Sequence, residues 1–271
     1  MIVLFFLPWL SGSSAHDPMG RPRQGLGARR GEIAMDVIAG AVGSQILSAV
    51  VAAVLTGIGT LVRWLVVKRL PARRTWRYLN ASELSIVLDT SYVDTGRYQR
   101  PVAGLGQVRA LSVLVPSLTH AYRDLDLEKV RLSAHLPGSE MEHDLLILGG
   151  PKNNEAARRI LEVMTEALPF RLGGGAITWE GTAYTGDAAD GEVVRDCGYI
   201  VRAANPLNPD RRVVLIGGWS TYGTVAAARW LAENGASRSL AADVAVLVEA
   251  SVLRDGHVSA PRVLRQANLS R

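Results

Sequence analysis

Two short stretches of this chain combine residue types suited to holding an anion. LILGGPKNN (Leu146–Asn154) places Gly149, Gly150, Lys152, Asn153 and Asn154 directly after an apolar run. GGWSTYGT (Gly217–Thr224) does the same with Gly217, Gly218, Ser220, Thr221 and Tyr222. Paired glycines let backbone approach a ligand closely. The start of a following helix offers unpaired N–H groups and a favourable potential for phosphate. Lys152 would add charge, the Asn, Ser and Thr side chains hydrogen bonds, and Trp219 or Tyr222 a stacking surface. Asp89–Gln107, at the end of the run LSIVLDT (Leu84–Thr90) and including Thr90 and Ser91, is a third segment at a strand exit. Each motif also has a plain structural use, as a tight turn and a helix cap.

Other chemistries fit less well. GLG (Gly104–Gly106) lacks the later glycine of a dinucleotide fingerprint, and neither GGPKNN nor GGWSTYGT is a P-loop. GWSTY approaches a serine-hydrolase elbow, but Tyr222 stands where the closing glycine belongs. Asp187, Asp190, Glu192 and Asp196 form an acidic run within reach of acid–base work. Of these, Asp196 is the candidate for a ligand contact, with Arg195 and Arg202 beside it. His16, His120, His135, His143 and His257 have no metal-ligand spacing, and Cys197 is the only cysteine. No metal and no cofactor is expected, and catalytic residues remain unassigned.

Elements that would position these residues follow from the pattern of the chain. Leu84–Thr90, Lys129–His135, Leu145–Leu148, Val213–Ile216 and a run from Val244 read as short buried strands. Helices are expected over 107–124, where Pro116 would kink or divide the helix, after Asn154, and from Ser220 to an Asn234–Gly235 stop. Residues 169–204 read as short antiparallel pieces, and Asn205–Pro206 with Asn208–Pro209 as a tight turn. Strands joined through helices predict an α/β sandwich of three layers, with a mainly parallel sheet and a small antiparallel insertion.

Ahead of this domain lies a run of 26 residues without a charge, Val37–Val62. At about 1.5 Å per residue it exceeds the roughly 30 Å of a bilayer's hydrocarbon core, so a single transmembrane helix is expected. Gly40, Gly43, Ser44, Ser48, Ala52 and Ala53 give it a small-residue surface that would admit a second copy. Residues 63–79 form a basic juxtamembrane linker, and 80–271 the α/β domain. Residues 1–34 read as a flexible leader, or as an extension upstream of a start at Met35.

The net charge of +5 divides unevenly. Residues 1–77 carry ten basic and three acidic side chains, a charge of +7, whereas 78–271 carry twenty and twenty-two, a charge of −2. The basic excess therefore flanks the apolar run, and nucleic acid is not an expected partner. The bilayer is, and the positive-inside bias places the C-terminal domain in the cytoplasm.

Taken together, the anchor, LDTS with its Gly-rich loop and GQVRAL, LILGGPKNN, and DCGYIVRAANPLNPDRRVVLIGGWSTYGTVAAARWL resemble poorly characterised prokaryotic membrane-tethered proteins with a Rossmann-like α/β domain. The resemblance implies a ligand-facing crevice rather than a particular reaction. The expected function is a membrane-anchored binding or sensor domain for a small phosphorylated or nucleotide-like ligand. The alternatives are a hydrolase or transferase on such a substrate, using Asp196, Ser220 or the acidic run, and a structural membrane-associated adaptor.

Overall fold

The computed structural model describes residues 48–269; the leader and the first part of the uncharged run, through Leu47 and including Gly40, Gly43 and Ser44, lie outside them. Contacts divide the chain into two units, with the boundary between Gly59 and Thr60. The described part of the first unit is exposed helix. This helix, α1 (Ser48–Trp76), is long and apolar enough to cross a membrane, with a mean hydropathy of 2.1 and no buried residue in its apolar window. Within it the Thr56 hydroxyl donates to the Ala52 carbonyl at 2.8 Å, which satisfies its polar group locally. The basic segment expected as a linker is helical to Trp76, through a π-helical turn at Leu65–Arg69.

In the second unit the last turns of α1 carry the first core residues. Ala72 and Trp76 are buried, and the Trp76 indole donates to Ser117 Oγ at 2.9 Å. The chain then enters β1 (Leu84–Leu88), followed by an exposed hairpin of β2 (Ser91–Asp94) and β3 (Gln99–Val102). Helix α2 (Leu105–Ala121) leads to β4 (Val130–Leu132), and two short 3-10 turns lead to β5 (Asp144–Leu148). Pro116 is exposed and α2 runs through it as one element, so the expected division does not occur. Next come α3 (Glu155–Val163) and a small antiparallel sheet of β6 (Phe170–Gly173), β7 (Ala176–Trp179) and β8 (Thr182–Tyr184). The chain continues through β9 (Asp187–Ala189), β10 (Glu192–Asn205) and β11 (Asn208–Gly218). It closes with α4 (Thr221–Asn234), β12 (Val244–Ser251) and β13 (Arg262–Asn268).

The main sheet has eight strands in the order β13-β12-β10-β11-β5-β1-β4, with β9 added on β10. β4, β1, β5 and β11 pair in parallel, β12 and β9 share their direction, and β10 and β13 oppose them. The mainly parallel reading thus holds for strand direction, while β10 makes the second half of the sheet antiparallel. Strands β1 and β5 are buried at every residue because both faces are covered, and are apolar apart from Ser85 and Asp144. On one face Ile86, Leu146, Val214 and Val246 meet α2, α4 and the end of α1. On the other, Val87, Leu145, Leu215 and Leu247 meet α3 and the Phe170, Ile177 and Trp179 side chains of the small sheet. The result is three layers, as expected.

The entry to the domain is fixed by Asp144, whose carboxylate accepts from the Asn80 and Arg212 backbone N–H groups. Asn205 closes the tight β10–β11 hairpin, accepting from Leu207 N at 3.0 Å and donating to the Met141 and His143 carbonyls.

Candidate functional site

β4 and β5 lie on opposite sides of β1, so the order of strands reverses there. In open α/β sheets this reversal opens a crevice at the carboxyl ends of the strands, where ligands bind. Here those ends carry Asp89–Thr90, Gly149–Gly150 and Gly217–Gly218. The point between β1 and β5 is filled by protein. Asp89 is buried, and its carboxylate accepts from the Gly104 N–H, at the start of α2, at 3.2 Å. Burial pushes the Asp89 carboxyl above its usual range, and the Gly104 hydrogen bond works against that shift. Gly149 has φ +113°, a left-handed conformation that favours glycine, and a Cβ there would stand 3.2 Å from Asp89 Cβ and 3.3 Å from Gln107 Nε2. Gln107 is itself buried, with Oε1 unpartnered among the described residues.

Beside this plug the edge opens into a cavity of about 390 Å³. Gly150, Pro151 and Lys152 form one wall, Gly218 and Trp219 another, and the β6–β7 turn from Leu172 to Ile177 a third. Pocket volumes of about 300–1,000 Å³ are usual for small ligands. The Trp219 indole N–H donates to the Gly175 carbonyl, which ties the turn to the rim. Beneath the glycines lies Tyr199, fully buried, whose hydroxyl has no partner among the described residues. Gly217 has to be small because a Cβ would collide with the Tyr199 ring. A larger cavity, about 440 Å³, lies between the end of α3 and the β10–β11 hairpin, and its described lining is largely apolar, with Asp243 the one ionisable side chain in it.

The residues singled out from sequence separate into groups. Gly150, Lys152 and Gly218 line the 390 Å³ cavity, with Gly149 and Gly217 just behind them. Thr90 and Asn153 serve the neighbouring turns: the Thr90 hydroxyl lies 3.1 Å from Ser133 Oγ and accepts from Ala134 N, and Thr90 N–H donates to the Asn153 carbonyl. Ser91, half-buried, opens the β2–β3 hairpin. Asn154 is buried and caps α3, accepting from Ala157 N at 3.0 Å and donating to the Leu148 carbonyl. Thr221 is exposed and packs its Cβ close to Gly106, while Tyr222 packs against the core that α2 and α4 share.

Asp196 and Ser220 meet, but as a cap. The Asp196 carboxylate is inaccessible and accepts from Cys197 N at 2.8 Å, Ser220 N at 3.2 Å, the Ser220 hydroxyl and Gly223 N. It therefore occupies the position at the N-terminus of α4 where an external anion would sit. Burial raises the Asp196 carboxyl above its usual range, and the donors around it oppose the shift. The α3 start is likewise taken by Asn154, with Glu155 in the first turn. Of α2, α3 and α4, only α2 begins without a side-chain cap, at Gly104.

No family model matches the chain, and no curated protein or solved structure matches it either. The resemblance read from sequence accordingly stands on architecture: one apolar helix followed by an α/β domain with a mixed, mostly parallel sheet. Among the described residues no group of three or more His, Cys, Asp or Glu side chains is placed to hold a metal ion. Cys197 is buried and its thiol is pushed up to about 12, first by burial and then by Glu249 and Asp196. Such a thiol is a packing residue, not an activated nucleophile.

Sequence reasoning reached Asp89, Gly104 and Gln107 only as parts of the Asp89–Gln107 segment after the first strand, and did not single out the β6–β7 turn. The available signal was an Asp directly after a buried apolar strand, in LDT. Its partner Gln107 sits in the same GLGQ segment that fails the dinucleotide pattern. What the open edge offers chemically is a flat indole, an exposed ammonium and glycine backbone around one cavity, a set suited to binding.

Proposed function

We propose that this protein is a membrane-anchored binding domain for a small ligand that joins a flat ring to a phosphate. The reading rests on the cavity at the strand ends, where Trp219, Lys152 and the glycine walls of Gly150 and Gly218 face one space. A ring would lie against the Trp219 indole, and stacking of this kind contributes about 1–3 kcal/mol per base. The phosphate would be held by the Lys152 ammonium and the backbone N–H groups of Gly150 and Lys152, since the Gly149 N–H donates to the Ile216 carbonyl and Pro151 has none. With the basic side of α1 inside, the cavity would sample cytoplasmic ligands.

The test uses the full-length chain in neutral phosphatidylcholine nanodiscs, titrated calorimetrically with nucleoside monophosphates and, separately, sugar phosphates. Nucleoside monophosphates are expected to bind more tightly, with Trp219→Ala weakening them about tenfold. Lys152→Ala should weaken both classes. A folded protein that binds neither class would overturn this reading.

A further inference from the structure

The opposite edge of the sheet holds a second cavity, of about 250 Å³, with a different chemistry. Arg202 on β10 lies opposite Val244, the first residue of β12, and Val214, midway along β11, so this cavity is at the amino end of β12. Its lining includes Arg74 and Arg77 from the last turns of α1 and the segment just after, Arg202 from the sheet, and Arg238 from the loop after α4. No acidic side chain lines it among the described residues. Asp243, whose charge acts on Arg202, forms an ion pair with Arg212.

Arg202 is the decisive member. It is 2% exposed, and two of its guanidinium nitrogens are accounted for: Nε donates to the Ala242 carbonyl at 3.1 Å, and Nη2 to the carbonyls of Leu240 and Ala241. Nη1 is buried and has no partner among the described residues. Tyr78 holds the group from one side, its ring 5.0 Å from the Arg202 guanidinium and 4.5 Å from that of Arg77. Burying a guanidinium and gathering three more around it is costly without an anion. Burial and the nearby Arg212 and Arg77 charges accordingly hold Arg202 below its ordinary value, against the pull of Tyr78 and Asp243.

We propose that this arginine pocket is a phosphate-monoester site. Planar guanidinium groups match phosphate oxygens in bidentate geometry. The space is several times the roughly 30 Å³ that a water occupies in the liquid, enough for a phosphate with its ester oxygen and hydration. The ester can come from a lipid headgroup or from a soluble molecule. The lipid source is near at hand, since exposed apolar side chains continue along α1 through Val66, Val67 and Leu70, one turn before Arg74. This site is separate from the cavity at Trp219 and does not depend on it.

The experiment takes the full-length chain in a nonionic detergent and titrates it with short-chain phosphatidate in one arm and inorganic phosphate in the other. Saturable binding is expected in at least one arm, and Arg74→Gln/Arg238→Gln should weaken it about tenfold or more by removing charge-assisted hydrogen bonds. Both positions are exposed, so the doubly substituted chain should keep its thermal unfolding midpoint. Binding of phosphatidate but not phosphate assigns a lipid headgroup, and comparable binding of both assigns a soluble ester. Trp219→Ala should change neither arm. Absence of saturable binding in both arms, binding that survives the double substitution, or loss of binding in Trp219→Ala would each overturn the proposal.

Discussion

Asp196→Ala removes a buried carboxylate that accepts hydrogen bonds from three backbone N–H groups and one hydroxyl, and its cost can be worked from those partners. The N–H groups of Ser220 and Gly223 open α4, and Asp196 is their acceptor among the described residues. Leaving each without a partner costs about 1–3 kcal/mol. Against this, the carboxylate was itself expensive to bury, as the upward displacement of its proton affinity records. The net expectation is a loss of about 3 kcal/mol. Ser220→Ala gives the internal comparison. Its hydroxyl reaches Tyr222 N only at 3.4 Å, a long cap bond, and Asp196 keeps its backbone partners, so the loss should be about 1 kcal/mol. Equilibrium urea unfolding of the full-length chain in a nonionic detergent, followed by tryptophan fluorescence, measures both. If Asp196→Ala costs no more than Ser220→Ala, the carboxylate is not what caps α4, and the argument that it displaces an external anion falls with it.

Gly217→Ala should destabilise the fold by about 1–3 kcal/mol, because the new Cβ would collide with the Tyr199 ring; a loss near zero in the same urea assay would show that Tyr199 can move aside. Asp89 keeps its proton to a higher pH in the folded chain than in the unfolded one, so its contribution to stability is complete below the ordinary carboxylate range and is lost as pH rises through the folded-state value. Asp89→Asn should therefore flatten the fall of stability with rising pH in that window, and an unchanged slope would contradict the assignment. Cys197, with its thiol at about 12, should resist iodoacetamide at pH 8 in the native chain and react once the chain is unfolded in urea. Rapid native labelling, read by intact mass, would count against its burial.

The strands that matter most for the site were legible because they lie between two covered faces. Leu145–Leu148 and Val213–Ile216 have no polar residue to obscure them, and Asn154 and Ser220 stand at helix starts as capping chemistry requires. What was not legible depends on contacts distant in sequence. Nothing local tells that Asp196, on a strand, will cap a helix that begins 24 residues later at Ser220. Arg202 interrupts an apolar run and gives no sign of the arginines that gather around it, because three other elements bring them. The basic residues after Val62 read as a linker because charge obscured a helical segment whose Ala72 and Trp76 pack into the core. Helix phase, not composition, was the informative property there.

Helix α4 has a length whose consequence reaches beyond packing. Its 14 residues span about 21 Å, from the cap beside Trp219 to Gly235, which lies against Thr75 of α1 and opens the loop carrying Arg238. One stiff rod thus touches the rim of one cavity and the wall of the other. Should occupancy of either cavity displace α4 along its axis, thermodynamic linkage makes the traffic two-way: whatever factor a headgroup at the arginines imposes on affinity at Trp219, a ligand at Trp219 must impose in return.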